Sequence, residues 1–257
     1  MAGQVNRALI GYTGFVGSTL LAANPYEMLF NSRNIESIRG QHFSSVTCAG
    51  VSAVKWMANK EPEQDRAAIE NLVNPLKDVT ADRFILISTV DVYPDPNDVT
   101  ESDVPDTTKA QPYGRHRRQL EEWVLEKFEN VLIVRLPALF GAGLKKNVIF
   151  DLMNLNQTEN INPNGVFQWY PMRRFASDLA LLDASGQNVV NVAVEPVATA
   201  DIASKFFPDV AIGSKDSAPV GYDMKTRFPE LLGGKGDYHV DRHEVFRELG
   251  LFTGMPS

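Results

Sequence analysis

Tyr113 and Arg117 stand four residues apart in Pro112-Tyr113-Gly114-Arg115-His116-Arg117. On a helix that spacing puts both on one face. A phenol beside a fixed cation is a device for moving a proton. Its unperturbed pKa is about 10, so a nearby positive charge is needed to favour the ionised form. Thr89 and Asp91 lie in Ser88-Thr89-Val90-Asp91-Val92-Tyr93, directly after an apolar run. In an open α/β sheet, ligands bind beyond the carboxyl ends of the strands. Gly11-Tyr12-Thr13-Gly14-Phe15-Val16-Gly17 offers backbone chemistry instead. Glycines let a chain turn sharply and approach a pyrophosphate, and a helix N-terminus adds free N–H groups and a positive dipole end. Plainer alternatives exist for each. Tyr113 could pack at a helix start, Thr89 could be a strand residue with a satisfied hydroxyl, and Asp91 could cap its own turn. The glycines could merely connect a strand to a helix.

These residues must be held by alternating strands and helices. Ala8-Leu9-Ile10 reads as a strand ending at Gly11, and Val16, Leu20 and Ala23 recur at helical spacing. Further strands are expected at Met28-Leu29-Phe30, Ser45 to Ala49, Phe84 to Ile87 and Val131 to Val134. The continuous apolar runs suit a sheet buried on both faces. Helices are expected around Ile69, Leu72, Val73 and Leu76, and around Leu120, Val124 and Phe128. This alternation predicts βαβ units and a parallel sheet. Beyond Gly143 the pattern loosens. It predicts a helix from Asn147 to Leu155, a loop over 156–165 and a strand from Val189 to Val194. A helix capped by Thr199 follows, then a Gly/Ser/Pro loop from Gly213 to Pro219. Last comes a helix opened by Asp241 and Glu244 as a capping box.

Bulk properties narrow the classes. The chain has 257 residues, 44% apolar and 22% charged, enough for a full core without disulfides or metal. A net charge of −7 argues against a nucleic-acid partner and against anionic membranes. No apolar run is long enough to span a bilayer, and Met1 to Arg7 do not read as a secretory signal. The expected location is the cytoplasm. The single Cys48 reads as a small buried residue. His239 and His243 lack an evident third metal ligand, so no metal site is expected.

Taken together and in order, these motifs resemble the extended short-chain dehydrogenase/reductase superfamily, of the NAD-dependent epimerase/dehydratase type. The turn from Gly11 to Gly17 looks like its GxxGxxG. Ser88-Thr89 through Val92-Tyr93 looks like its Ser/Thr segment, Tyr113 like the tyrosine of YxxxK, and Arg135 to Gly141 like R-x-P-x-x-x-G. Four motifs in sequence are far more specific than one. The resemblance implies a Rossmann-like doubly wound parallel sheet over 1–145, with a returning segment near 166–207. A small C-terminal substrate lobe over 146–257 completes it. It implies hydride transfer to or from a nicotinamide, with Tyr113 as acid/base and Thr89 holding a substrate oxygen. Asp91 falls where the dehydratase branch carries a carboxylate able to take a proton beside a carbonyl. Hydride addition to a ketone develops alkoxide charge that a positioned acid must quench. The implied cofactor-binding set is Gly11, Thr13, Gly14, Phe15, Val16, Gly17, Asn31, Ser32, Arg33, Ala49, Gly50, Ser88, Arg117 and Pro137. No carboxylate lies between Glu27 and Glu36 to hold ribose hydroxyls, whereas Ser32 and Arg33 could bind a 2′-phosphate. NADP(H) is therefore expected over NAD(H), unless Arg33 is only a solvated loop charge.

Arg117 departs from the family's lysine. Arginine keeps its charge and can bind ribose hydroxyls through its fork, but it does not relay a proton. Asp65 sits near where the family usually has asparagine. Asn147 and Arg227 could contact a nucleotide-sugar diphosphate or be ordinary polar residues. Arg115 to Arg118 could meet an anion or form a solvated face. Two functions follow. One is an NAD(P)-dependent epimerase, dehydratase or reductase acting on a carbonyl or sugar-nucleotide-like small molecule. The other is a catalytically impaired sensor or scaffold that still binds NAD(P)(H). Relatives commonly dimerise through two helices, for which 62–78 and 113–129 are the candidates.

Overall fold

In the computed structural model the described residues are 6–213 and 220–255. The expected loop beyond Gly213 and the first five residues lie outside them. Contacts divide the chain into two compact units. The first comprises Met1–Asp95, Asp103–Arg135 and Ala176–Val190; the second comprises Pro96–Ser102, Leu136–Phe175 and Asn191–Ser257. Ala176–Val190 thus returns to the first unit.

The first unit is built on a six-stranded sheet. Its strands are β1 (Arg7–Ile10), β2 (Met28–Phe30), β3 (Ser45–Cys48), β4 (Phe84–Thr89), β5 (Val131–Leu136) and β6 (Val189–Asn191), in the order β6-β5-β4-β3-β1-β2. β1 pairs parallel with β2 on one side and β3 on the other, and β3 pairs parallel with β4. The fold is therefore the expected Rossmann-like doubly wound α/β type. From β1 the chain turns outward to β2, then crosses back to β3. The topological switch point lies between β1 and β3, where such sheets open a crevice. All six residues of β5 are buried, Arg135 included. This explains why its sequence reads as a continuous apolar run.

Four helices of this unit matter to the site. They are α1 (Phe15–Ala23), α2 (Lys55–Lys60), α3 (Pro62–Leu76) and α4 (Pro112–Lys127). α3 begins with Pro62 in its first turn, where a missing N–H costs nothing, and Glu63 and Asp65 suit the positive dipole end. Its Ile69, Leu72 and Leu76 join Ile10, Cys48 and Leu86 in the core. Leu120 and Val124 of α4 enter the same core, and Phe128 stacks on Phe84 with centroids 4.2 Å apart. Cys48 is buried as expected, and burial pushes its thiol up to about 11. α2 is absent from the sequence reading. Its six residues bury only Ala58, too few for a periodic stripe.

In the second unit, short strand pairs form between Ala138–Phe140 and Trp169–Pro171, and between Val166–Phe167 and Val197–Ala198. The strand expected through Val194 stops at Asn191, whose backbone N–H turns to Glu101. Thr199 is not the cap expected for its helix. It is the first helical residue, and its hydroxyl donates to the Gly165 carbonyl at 2.9 Å. The Asp241 cap is present, its carboxylate accepting the Glu244 N–H at 2.7 Å. Among the described residues, no helix is long and apolar enough to cross a membrane, and no cluster of metal-ligating groups occurs.

His239 is buried in this unit. Its Nε2–H donates to the Phe228 carbonyl, leaving Nδ1 to accept the Ala193 N–H. Burial lowers its pKa from 6.5 to about 4. The folded state therefore binds fewer protons than the unfolded state between those values. The resulting stability is present above pH 6.5 and is lost as pH falls toward 4, by about 3 kcal/mol in all. Urea titrations across that window should show the decline, and His239→Gln should flatten it.

Candidate active site

Gly11 closes β1 at φ +84°, and its N–H donates to the Phe30 carbonyl at 2.7 Å. A Cβ there would lie 2.4 Å from the Ala49 carbonyl oxygen, so β1 and the end of β3 approach as only glycine allows. A Cβ on Gly17 would lie 2.1 Å from the Gly11 oxygen. Gly14 caps α1 without a side chain to accept its first N–H groups. Thr13 and Gly14 are exposed, Phe15 and Val16 half-buried. The turn, Ala49 and Gly50 thus flank the switch point together. Beyond β2, Asn31 accepts the Arg33 N–H, and its amide donates to the Tyr12 hydroxyl at 3.1 Å. This turn leaves Ser32 and Arg33 exposed.

Tyr113 enters from the start of α4. Asn59 of α2 accepts its backbone N–H at 3.0 Å, a cap the sequence reading missed because the partners are 54 residues apart. The next residue, Gly114, lets α4 press onto the turn after β4. A Cβ there would lie 1.8 Å from the Asp91 carbonyl oxygen. The phenol is buried, with Thr89, Asp91, Arg117 and Lys55 acting on it. Burial raises its pKa and outweighs the opposing pull of Arg117; Asp91 raises it further, while the Thr89 hydrogen bond and Lys55 lower it. The phenol's pKa is therefore held above its ordinary value. The Thr89 hydroxyl also accepts the Asp91 N–H at 3.2 Å.

Arg117 lies over the Tyr113 ring, 3.9 Å from its centroid. Arg117 is 4% exposed and heavily engaged. Its fork donates to both Asp65 oxygens at 2.5 and 2.8 Å, to the Ser52 carbonyl at 2.6 Å and to the Tyr113 carbonyl at 3.1 Å. Asp65 also receives His116 Nδ1 at 2.8 Å, while Arg66 lies against His116 Nε2. Burial works to raise the Asp65 carboxyl, but the hydrogen bonds from Arg117 and His116 prevail and hold it below the usual range. The basic run 115–118 is thus not a single patch. Arg118 turns away to Glu121 and Glu122.

Lys55, at the start of α2, was not singled out in the sequence. Its Nζ lies 2.6 Å from Asp91 Oδ1. Periodicity gave no signal for it; only the tertiary fold brings α2 to the end of β4. Ser88 faces the other way, its hydroxyl donating at 2.5 Å to the fully buried Glu121. Glu121 also receives Arg135 at 2.7 and 3.0 Å, and Arg135 reaches the Tyr93 hydroxyl at 2.6 Å.

Three expected site residues lie in the second unit. Pro137 is buried between the strands ending at Leu136 and beginning at Ala138. Asn147 caps the helix Val148–Asn154, accepting the Phe150 N–H at 3.0 Å and donating to the Leu139 carbonyl at 2.9 Å. Arg227 is exposed and donates to the Ser102 hydroxyl at 2.9 Å.

The sheet order and glycine turn define a protein of the doubly wound, Rossmann-like class. A sequence profile of the NAD dependent epimerase/dehydratase family matches residues 42–165, which bears out the family resemblance over that stretch. The match begins after the glycine turn, so the turn is an independent mark. No curated protein sequence matches significantly. Similar solved structures include UDP-N-acetylglucosamine 4-epimerase from Methanobrevibacter ruminantium M1 in complex with UDP-N-acetylmuramic acid. That likeness has TM-score 0.73 at 17% identity, covering 98% of this chain and 97% of the other. An NAD dependent NDP-hexosamine 5,6-dehydratase of tunicamycin biosynthesis gives TM-score 0.74 at 16% identity, covering 98% and 97%. dTDP-4-dehydrorhamnose reductase from Bacillus anthracis, in complex with NADP, gives 0.70 at 15%, covering 98% and 99%.

Removing Arg117 would leave Asp65 buried without its main partner. Arg117→Met should therefore cost about 3–5 kcal/mol of stability. Thermal or urea unfolding reads this directly, and a change under about 1 kcal/mol would reject a structural role for the pair.

Proposed function

We propose that the chain is an NAD(P)-dependent enzyme of the epimerase, dehydratase or reductase kind, acting on a carbonyl of a sugar-nucleotide-like substrate, with NADP(H) preferred. The observation that carries this reading is the buried Tyr113 beside Thr89 at the carboxyl end of β4, in the same unit as the glycine turn. The turn fits a dinucleotide. Gly11 and Gly17 leave no room for side chains, and α1 opens with a bare cap. Gly11 to Gly17 would hold the pyrophosphate, Ala49 and Gly50 would flank it, and Ser32 with Arg33 would meet a 2′-phosphate. The bound nicotinamide would supply or accept hydride. Tyr113 Oη would give its proton to the developing alkoxide, or take it back in the reverse direction, while the Thr89 hydroxyl holds the same oxygen. Arg117 would act by charge over the ring rather than by proton relay. Self-association through α3 and α4 belongs to the same reading. The surface concerned is a groove of about 180 Å³ lined by Ile69, Val73, Leu120 and Trp123 together with Arg66, Glu70, His116 and Gln119.

A second reading is a dinucleotide-binding sensor or scaffold without turnover. It is favoured by the commitment of Arg117 to Asp65, Ser52 and the Tyr113 carbonyl. The two readings part on turnover.

Calorimetric titration of cofactor-stripped protein should show NADPH binding more tightly than NADH. Arg33→Ala should weaken NADPH about tenfold while sparing NADH. Absence of binding by either, in folded protein, would reject both readings. With UDP- and dTDP-linked keto sugars as probes, Tyr113→Phe should lower the NADPH oxidation rate by about 10²–10⁴-fold and leave NADPH affinity nearly unchanged. Equal rates in parent and variant would remove Tyr113 from the chemistry. NADPH binding without Tyr113-dependent turnover across the panel would favour the second reading.

A further inference from the structure

Tyr113 stands at the second position of α4, behind Pro112 at the first and Gln111 at the cap. The opening N–H groups of a helix find no acceptor within it. Pro112 has no N–H, so Tyr113 carries the first that needs a partner. The Gln111 side chain supplies no cap. The acceptor comes from another element: Asn59 Oδ1 of α2 takes the Tyr113 N–H at 3.0 Å. The turn that carries the phenol is thus closed from outside its own helix.

The segment that provides this cap is itself tied to the site. Lys55 precedes Asn59 by four residues on the same face of α2, and its Nζ lies 2.6 Å from Asp91 Oδ1. Just upstream, the Ser52 carbonyl accepts the Arg117 guanidinium at 2.6 Å. Residues 52–59 therefore grip Arg117, Asp91 and Tyr113 through three separate contacts. α2 buries only Ala58, so polar ties rather than a packed stripe set its place. On the far side, Gly114 presses against the Asp91 carbonyl and the Asp91 N–H donates to the Thr89 hydroxyl.

We infer that Asn59 is a positioning residue of the candidate site: by closing the first turn of α4 from α2, it fixes where the Tyr113 phenol stands at the end of β4. This rests on the reading of Tyr113 as the proton donor. Asn59 acts through Tyr113 and does no chemistry of its own. A cap supplied by Gln111 would order the helix alone. A cap from α2 also sets the spacing between Tyr113 and Asp91, because the same face of α2 holds both. A first turn without its cap opens locally. A displacement of about 1 Å at a reacting group can cost about 10²-fold in rate.

The test uses full-length protein and two NMR readouts that need no substrate. The first is exchange of the Tyr113 amide hydrogen. The second is the ¹⁹F signal of 3-fluorotyrosine at position 113, assigned by its loss in Tyr113→Phe. Asn59→Leu keeps the shape without an acceptor, Asn59→Ala removes the side chain, and Asn59→Asp keeps the acceptor. The Leu and Ala variants should speed exchange at Tyr113 by about 5–30-fold while Val124 stays protected, and should move the ¹⁹F signal toward the free amino acid. Asn59→Asp should stay near the parent in both. NADPH oxidation with the UDP- and dTDP-linked keto sugars should fall by up to about 10²-fold in the Leu and Ala variants and recover in Asp, with NADPH affinity unchanged. Unchanged exchange in both loss variants overturns the inference. So does an unmoved ¹⁹F signal despite lost protection, which would leave Asn59 a cap and nothing more, and so does a loss that Asn59→Asp shares. Failure of the enzymatic reading would appear separately, as turnover that survives Tyr113→Phe or as no turnover at all, with the NMR results standing.

Discussion

The Asp65 carboxylate is the constraint around which the first unit's chemistry is arranged. It sits on α3 and takes both donors of the Arg117 fork and one from His116, both on α4. A buried carboxylate without partners would cost several kcal/mol, so these helices cannot shift independently. Because Arg117 is held by Asp65, its guanidinium carbon stays 3.9 Å from the Tyr113 ring centroid. Because α4 is held, Gly114 stays against the Asp91 carbonyl and the phenol stays at the end of β4.

A second buried charge centre lies deeper. Glu121 gathers Ser88, Arg118 and Arg135, and Arg135 continues to Tyr93. It links the end of β4, the middle of α4 and β5. The two centres divide α4 by face and by turn. Arg117 serves the candidate site, while Arg118 and Glu121 tie the helix to the sheet. Neighbouring residues in the Arg115 to Arg118 run therefore have separate roles, and their summed charge is not displayed to solvent.

The glycine turn depends on the same logic of close approach. At Gly11 and Gly17 a side chain would strike backbone rather than another side chain, so nothing could yield cheaply. The geometry suits a phosphate-bearing ligand, and it also makes these positions intolerant for purely structural reasons. Arg33 and Ser32, by contrast, are displayed outward by the Asn31 turn and carry no comparable packing burden.

The sequence by itself determined the alternation of strands and helices, the glycine turn after β1, and the ordered motifs around Thr89, Tyr113 and Arg135. Each is local or periodic, written in residues a few positions apart. It also announced the arginine in place of lysine. Only the tertiary structure decided what that arginine does. Its partners Asp65 and Ser52 are 52 and 65 residues away, and no local pattern encodes such a pairing. The same holds for Lys55 against Asp91, 36 residues apart, on a helix too short to show a stripe. Asn147 and Thr199 were legible as polar residues near helix starts. Their hydrogen bonds to Leu139 and Gly165 came from chain crossings that local sequence does not specify. Local backbone preference and hydrophobic period are properties of short segments. The direction of a buried charge is a property of whatever the fold brings beside it.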